Sequence, residues 1–154
     1  MASAEQLNSF LVDVFGRINK IEERAMTGGL GSTVSITEIH IIEKIGAMEP
    51  VRMSELAKSI GITLATLTVA CDKLETKGLV SRTRSHTDRR VVNITLTPKG
   101  RAAYEHHKAF HERMIASVLD TLSPEQTAVL VQSLEKLQDF FRQEESAAGG
   151  EDNG

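Results

Sequence analysis

The chain has 154 residues, 40% of them hydrophobic and 25% charged, with a formal net charge of -3. That length suits one domain, or one plus an extension, and the apolar content is too high for a disordered chain. No apolar run approaches the ~20 residues that span a bilayer, the N-terminus MASAEQLNSF lacks signal-peptide character, and the single Cys71 excludes a disulfide framework and a four-cysteine zinc site. These features predict a soluble, cytoplasmic protein without a membrane role.

The first helix is predicted from about Glu5 to Met26, because Leu7, Leu11, Val14, Ile18, Ile21 and Ala25 form one stripe, widened by Phe10 and Phe15. Thr27-Gly-Gly-Leu-Gly-Ser is expected to break it. Ser35 and Glu38 form a capping box for a helix over Ile36–Met48, with Ile39, Ile42 and Ile45 inward and Pro50 as the stop. A short helix over Met53–Ile60 ends at Gly61. Thr63 then caps a helix to about Lys77, ended by Gly78, with Leu67, Cys71 and Leu74 facing inward. This is the spacing of a helix-turn-helix.

After Gly78 the period changes to two. Leu79–Thr83 and Val91–Leu96 read as strands around the polar tip SHTDRR, a hairpin wing placed directly after the second helix of the pair. Thr97-Pro98 opens a helix to about Leu122, and Ser123-Pro124-Glu125-Gln126 caps a last one to about Glu144. Leu130, Leu134, Leu137 and Phe141 give that last helix an apolar stripe, and the tail 146–154 is expected to be disordered. The predicted fold class is mainly α with a small β-hairpin wing. A winged helix-turn-helix spans 35–97, and helical dimerisation regions span 1–34 and 98–145. The stripes on the terminal helices exceed what a small central unit could cover, which predicts a homodimer with paired recognition helices on a palindrome.

Charge singles out the same central region. Residues 73–101 carry eight Lys/Arg against two acids, a local balance of +6 that leaves -9 on the remainder. A basic island on an acidic body suits double-stranded DNA, although a merely solvated basic face has the same signature. Thr63, Ala65, Thr66 and Thr68 fall in the first turns of the recognition helix, where base edges are reached, and Lys73 follows one turn later.

The stretch from Ser54 to Gly100 resembles the winged-helix core of the MarR family of bacterial transcription regulators. The likeness rests on Glu55-Leu56-Ala57, on DKLETKGLV, and on Asp88-Arg89-Arg90 spaced ahead of LTPKG. It implies that Arg90 enters a minor groove, that Asp88 orients it, and that Arg82, Arg84 and Arg89 contact phosphates. Leu64 and Val69 depart from the family pattern, which often has polar residues or Arg there. Fewer bidentate base contacts and more dependence on DNA shape are therefore expected.

Two effector readings remain. His107 and His111 share one helix face at a two-ligand spacing. With Glu22 and His40 they resemble the ligand set of the family's zinc-uptake repressors, which makes zinc or another divalent metal a candidate; the alternative is a hydrogen-bonded polar cluster. His106 is expected to be exposed. The segments SFLVDVFGRINKIEE, SITEIHIIEKIG, SRTRSHTDRRVV and KAFH are similar to the family's repressors of fatty-acid-synthesis genes. That likeness implies a co-repressor, acyl carrier protein bearing a long acyl chain. Phe10, Val14, Phe15, Ile39 and Ile42 are candidates for the acyl pocket, though each suits plain core equally. Cys71, on an inward stripe, suits an inert thiol better than a redox sensor. No motif for catalysis is present, so no enzyme and no required cofactor is expected. The contrasting class is a helical metal or lipid carrier that leaves DNA alone.

Overall fold

The computed structural model describes residues 3–30 and 34–148. In chain order these form α1 (Ala4–Leu30), α2 (Ile36–Met48), β1 (Val51–Arg52), α3 (Met53–Ile60), α4 (Leu64–Thr76), β2 (Val80–Arg84), β3 (Val92–Leu96), α5 (Pro98–Leu119) and α6 (Pro124–Ala148). The chain divides into two compact units, residues 1–111 and 112–154, with the division inside α5.

In the first unit the predicted caps are in place. The Ser35 hydroxyl accepts from the Glu38 N–H at 3.2 Å, and the Glu38 carboxylate accepts from the Ser35 N–H at 2.8 Å. This reciprocal pair satisfies two amides that the start of a helix leaves open. Glu23 of α1 accepts from the Ile36 N–H at 2.8 Å, anchoring the same helix start from outside. Gly61 closes α3 at φ 80°, in the left-handed region that favours glycine.

Ile39, Ile41, Ile42 and Ile45 of α2 are buried with Leu56, Leu67, Cys71, Leu74, Leu79 and Ile94 in one core. Each such aliphatic side chain contributes roughly 1.5–3 kcal/mol by leaving water. The core, rather than helix propensity, therefore decides how α2, α3 and α4 pack. The sheet has the order β1-β3-β2 and is antiparallel throughout, with Val51 opposite Ile94 and Arg82 also opposite Ile94. The Thr97 hydroxyl donates to the Gly78 carbonyl at 2.6 Å, and the Thr97 N–H donates to the Leu79 carbonyl at 3.1 Å. Gly100 lies so close behind that a Cβ there would collide with the Leu79 carbonyl oxygen.

Several expectations change. The α1 helix does not break at Thr27 but runs through Gly28 and Gly29 to Leu30; Gly31 and Ser32 lie outside the described residues. Two glycines cost a helix about 1 kcal/mol each relative to alanine. Gly29, however, lets α1 approach α5 closely, because a Cβ there would meet the His106 ring at 2.9 Å. His106 is half-buried rather than exposed, its Nε2 lying 3.1 Å from the Ala25 carbonyl oxygen. The two-residue β1 was not anticipated, since a strand that short carries no alternation. The end of α5 comes at Leu119, before a turn over 120–122.

In the second unit, Ser123 caps α6 as expected. Its hydroxyl accepts from the Gln126 N–H at 3.2 Å, and Gln126 Oε1 accepts from the Ser123 N–H at 2.9 Å. The helix reaches Ala148, so residues 146–148 are helical where disorder was expected; two alanines extend a helix at no cost. The rest of the tail, 149–154, lies outside the described residues. No residue of 112–147 is buried, and Val129, Leu130, Leu134, Phe140 and Phe141 are exposed.

Candidate nucleic-acid interface

The recognition helix α4 presents one face to the core and the opposite face to solvent. Leu67, Cys71 and Leu74 are fully buried, whereas Thr63, Leu64, Ala65, Thr66, Val69 and Lys73 are exposed and Thr68 is half-buried. Thr63 is the N-cap, accepting from the Thr66 N–H at 3.1 Å. Its Oγ1 also lies 2.9 Å from Thr66 Oγ1, and the Thr68 hydroxyl donates to the Leu64 carbonyl at 2.8 Å.

The wing tip is a closed polar turn. Ser85 N–H donates to the Val91 carbonyl at 2.8 Å, and Val91 N–H donates to the Asp88 carbonyl at 3.0 Å. The Asp88 carboxylate accepts from both the backbone N–H (3.0 Å) and the Nε (3.2 Å) of Arg90. These bonds, the backbone one first, hold the Asp88 carboxyl below its ordinary range. The Arg90 side chain is 93% exposed, so its charge is aimed outward by Asp88 rather than neutralised in an interior. Arg84 and Arg89 are exposed on the same hairpin.

Arg82, expected at a phosphate, is held within the protein by two acids and also borders the groove between α4 and the wing. Its guanidinium is 2.5 Å from both Asp72 and Glu75, and its backbone N–H donates to Glu75 at 3.1 Å. Asp72 and Glu75 stand three apart on α4, so one arginine meets both and ties the wing strand β2 to the recognition helix. The hydrogen bonds that Arg82 donates to Glu75, and then to Asp72, push its pKa up and hold the Glu75 carboxyl down.

Arg52 is the functional candidate that sequence reasoning missed. Pairing of β1 with β3 sets Arg52 opposite Asn93; Val51 is buried and Arg52 exposed. Arg52, Ser54, Leu64, Thr68, Arg90 and Val92 border a groove of about 290 Å³ between α4 and the wing. The signal available was a cation directly after an apolar residue behind Pro50, too little to place it at the wing.

A second cluster lies elsewhere in the first unit. His107 and His111 of α5 converge on Oε1 of Glu22 on α1. His111 Nε2 is 2.9 Å from that oxygen, and the two Nε2 atoms are 3.0 Å apart. Glu22 and His107 are buried and His111 half-buried. Burial alone would raise the Glu22 pKa, but hydrogen bonds from His107 and then His111 outweigh it and lower it. One carboxylate oxygen and two imidazole nitrogens, all within 4.8 Å, match the donor chemistry of zinc and similar divalent ions. His40 does not join them. It is exposed on α2, where the buried positions are 38, 39, 41, 42 and 45, so the gathered set has three members, not four.

The five candidates for an acyl pocket are divided between core and surface. Ile39 and Ile42 are fully buried in the core, while Phe10 and Phe15 are 56% and 63% exposed and Val14 is half-buried. Phe10 and Val14 border an open depression near the start of α1. Cys71 is buried, and burial pushes its thiol up to about 11, which leaves little thiolate for redox chemistry. Among the described residues no helix is long and apolar enough to cross a membrane.

A family model described as the MarR family matches residues 34–92, the stretch that holds α2, the helix-turn-helix and most of the wing. The HTH-type transcriptional repressor YetL of Bacillus subtilis is 30% identical over 135 residues, 86% of this chain and 79% of that protein. The chain belongs to the MarR family. It is a DNA-binding transcriptional regulator with a winged helix, not an enzyme, which sets aside the carrier that leaves DNA alone. The uncharacterised HTH-type regulator YhjH, also of B. subtilis, is 31% identical over 85 residues; the match takes in 55% of this MarR chain and 49% of YhjH. A crystal structure of Streptococcus pneumoniae FabT in complex with DNA is similar with a TM-score of 0.86 and 36% identity, over 92% of this chain and 99% of that one.

Proposed function

We propose that the chain is a ligand-responsive repressor of fatty-acid-synthesis genes that binds a palindromic operator as a homodimer. The observation that carries the reading is the likeness, along almost the whole chain, to FabT solved on DNA, together with the resemblance of four separate segments to fatty-acid-synthesis repressors. The exposed apolar residues of α6 support a second copy as partner, because isolated patches of that kind stay wet unless an interface covers them. In this reading Thr63, Ala65, Thr66, Thr68 and Lys73 face the major groove, and Arg90, aimed by Asp88, faces the minor groove. Arg84 and Arg89 neutralise phosphates.

The co-repressor of this reading is acyl carrier protein bearing a long acyl chain. The test is a titration of the purified protein on promoter fragments of fatty-acid-synthesis genes, with long-chain acyl carrier protein and with the unacylated carrier. The acylated form is expected to tighten binding at least tenfold and the unacylated form to leave it unchanged. Equal curves would overturn the assignment.

The Glu22–His107–His111 cluster favours a second reading, a metal-responsive repressor in which these three residues hold zinc or a related divalent ion. It expects stoichiometric metal on the gently purified protein and its loss in the His107→Ala/His111→Ala variant. Native mass spectrometry reports metal, acyl species and dimer mass together. A metal-free dimer that takes up none on titration would end this reading.

A further inference from the structure

The first two turns of α4 lack the side chains that usually read base edges. From Leu64 to Cys71 it carries no Arg, Lys, Asn, Gln, Asp or Glu. The groups able to make bidentate bonds to guanine or adenine are therefore absent from its first two turns. Its hydroxyls already have partners within the helix: Thr63 and Thr66 pair with each other, Thr63 also accepts from the Thr66 N–H, and Thr68 donates to the Leu64 carbonyl. Beside these hydroxyls the outward surface of the first turns is largely hydrocarbon. Leu64 is 50% exposed and Val69 57%. Ala65 and Val69, four apart, share the face opposite the buried Leu67 and Leu74.

Single exposed aliphatic side chains are common on protein surfaces, but on the helix that meets DNA, in place of donors and acceptors, they offer an apolar surface to whatever the groove presents. In the major groove the apolar group presented is the C5 methyl group of thymine. We propose that α4 recognises its half-site by apolar contact of Leu64, Ala65 and Val69 with thymine methyl groups, in place of a donor–acceptor code. This rests on the DNA-binding assignment and not on the identity of the effector.

The test starts from half-sites selected by the full-length protein from randomised duplexes. Thymines of the consensus are then replaced one at a time by deoxyuridine, which removes only the methyl group. Each contacted thymine is expected to cost about fourfold in affinity, the worth of one methyl-sized group taken out of water. In Val69→Ala or Leu64→Ala the loss at one of those positions should shrink below about twofold. Both side chains are exposed, so the fold should be kept, and thermal melting checks this. Val69→Thr, which retains one methyl of the pair, should fall between the wild type and Val69→Ala.

Arg90→Ala serves as the control, weakening thymine and uracil duplexes alike. Uracil duplexes bound as tightly as thymine duplexes by the wild type, or a consensus set by G·C pairs, would overturn the proposal while leaving DNA binding intact. Failure to bind any duplex at low salt would remove the DNA-binding assignment and this inference with it.

Discussion

Helices α2 and α6 show two ways of using apolar residues. In α2, thirteen residues long, Ile39, Ile41, Ile42 and Ile45 are all buried. In α6, twenty-five residues long, no residue described is buried, and Leu134, Phe140 and Phe141 stand about half exposed. The first belongs to a region that completes its interior from its own chain. The second offers a surface whose partner has to come from outside its own compact unit. Folding and assembly should therefore respond to different substitutions.

The largest separation is expected from Leu134→Glu. A charge on the apolar stripe of α6 should leave a folded monomer, seen by sedimentation, whose operator affinity falls by about two orders of magnitude or more as the two half-sites lose their linkage. An unchanged dimer would show that α6 is not the interface. Gly100→Ala should do the reverse and strike the self-sufficient region. The new methyl group meets the Leu79 carbonyl oxygen, and backbone has no rotamer with which to retreat. A loss of about 3 kcal/mol is expected, read as a fall in Tm of about 10 °C.

Glu38 sharpens the comparison through pH. Burial alone would raise its pKa, but the bonds from Lys77 and from Ser35 bring it below the ordinary value of 4.5. A carboxyl lowered by folding contributes stability above its unfolded pKa and loses it as pH falls through the folded value. Denaturant titrations should therefore show stability falling below about pH 4.5, with a smaller slope in Glu38→Gln. At neutral pH that variant should be less stable by about 1–2 kcal/mol, from the lost ion pair with Lys77, since glutamine can still close the capping box. An identical acid limb would show that Glu38 is not the group responsible.

The smallest effect is expected from Arg52→Ala. An exposed strand-end cation adds one phosphate contact, so binding should weaken about equally on all sequences and the salt slope should drop by about one. No change in slope would place Arg52 outside the interface.

The contrast also explains what could be read in advance. The caps Ser35, Thr63 and Ser123 were legible because a hydroxyl bonds an amide three residues on, a purely local event. The inward faces of α2 and α4 were legible from periodicity. Arg82 was not, because a basic residue on a strand looks the same whether it meets a phosphate or the two acids of a neighbouring helix. His40 failed for the same reason: spacing along one helix says nothing about which face another helix turns toward it. The pairing of β1 with β3, and with it the place of Arg52, depends on contacts more than forty residues apart in sequence.

The Arg82 joint to Asp72 and Glu75 has a consequence for how the molecule meets a duplex. A hairpin tied to the helix beside it is restrained from swinging on its own hinge, so in the proposed binding mode the offset between the helix's groove and the hairpin's groove is set largely during folding. Substitutions in the opening turns of that helix can then retune sequence preference without disturbing the angle at which the hairpin arrives, whereas loss of the joint would blur every site at once.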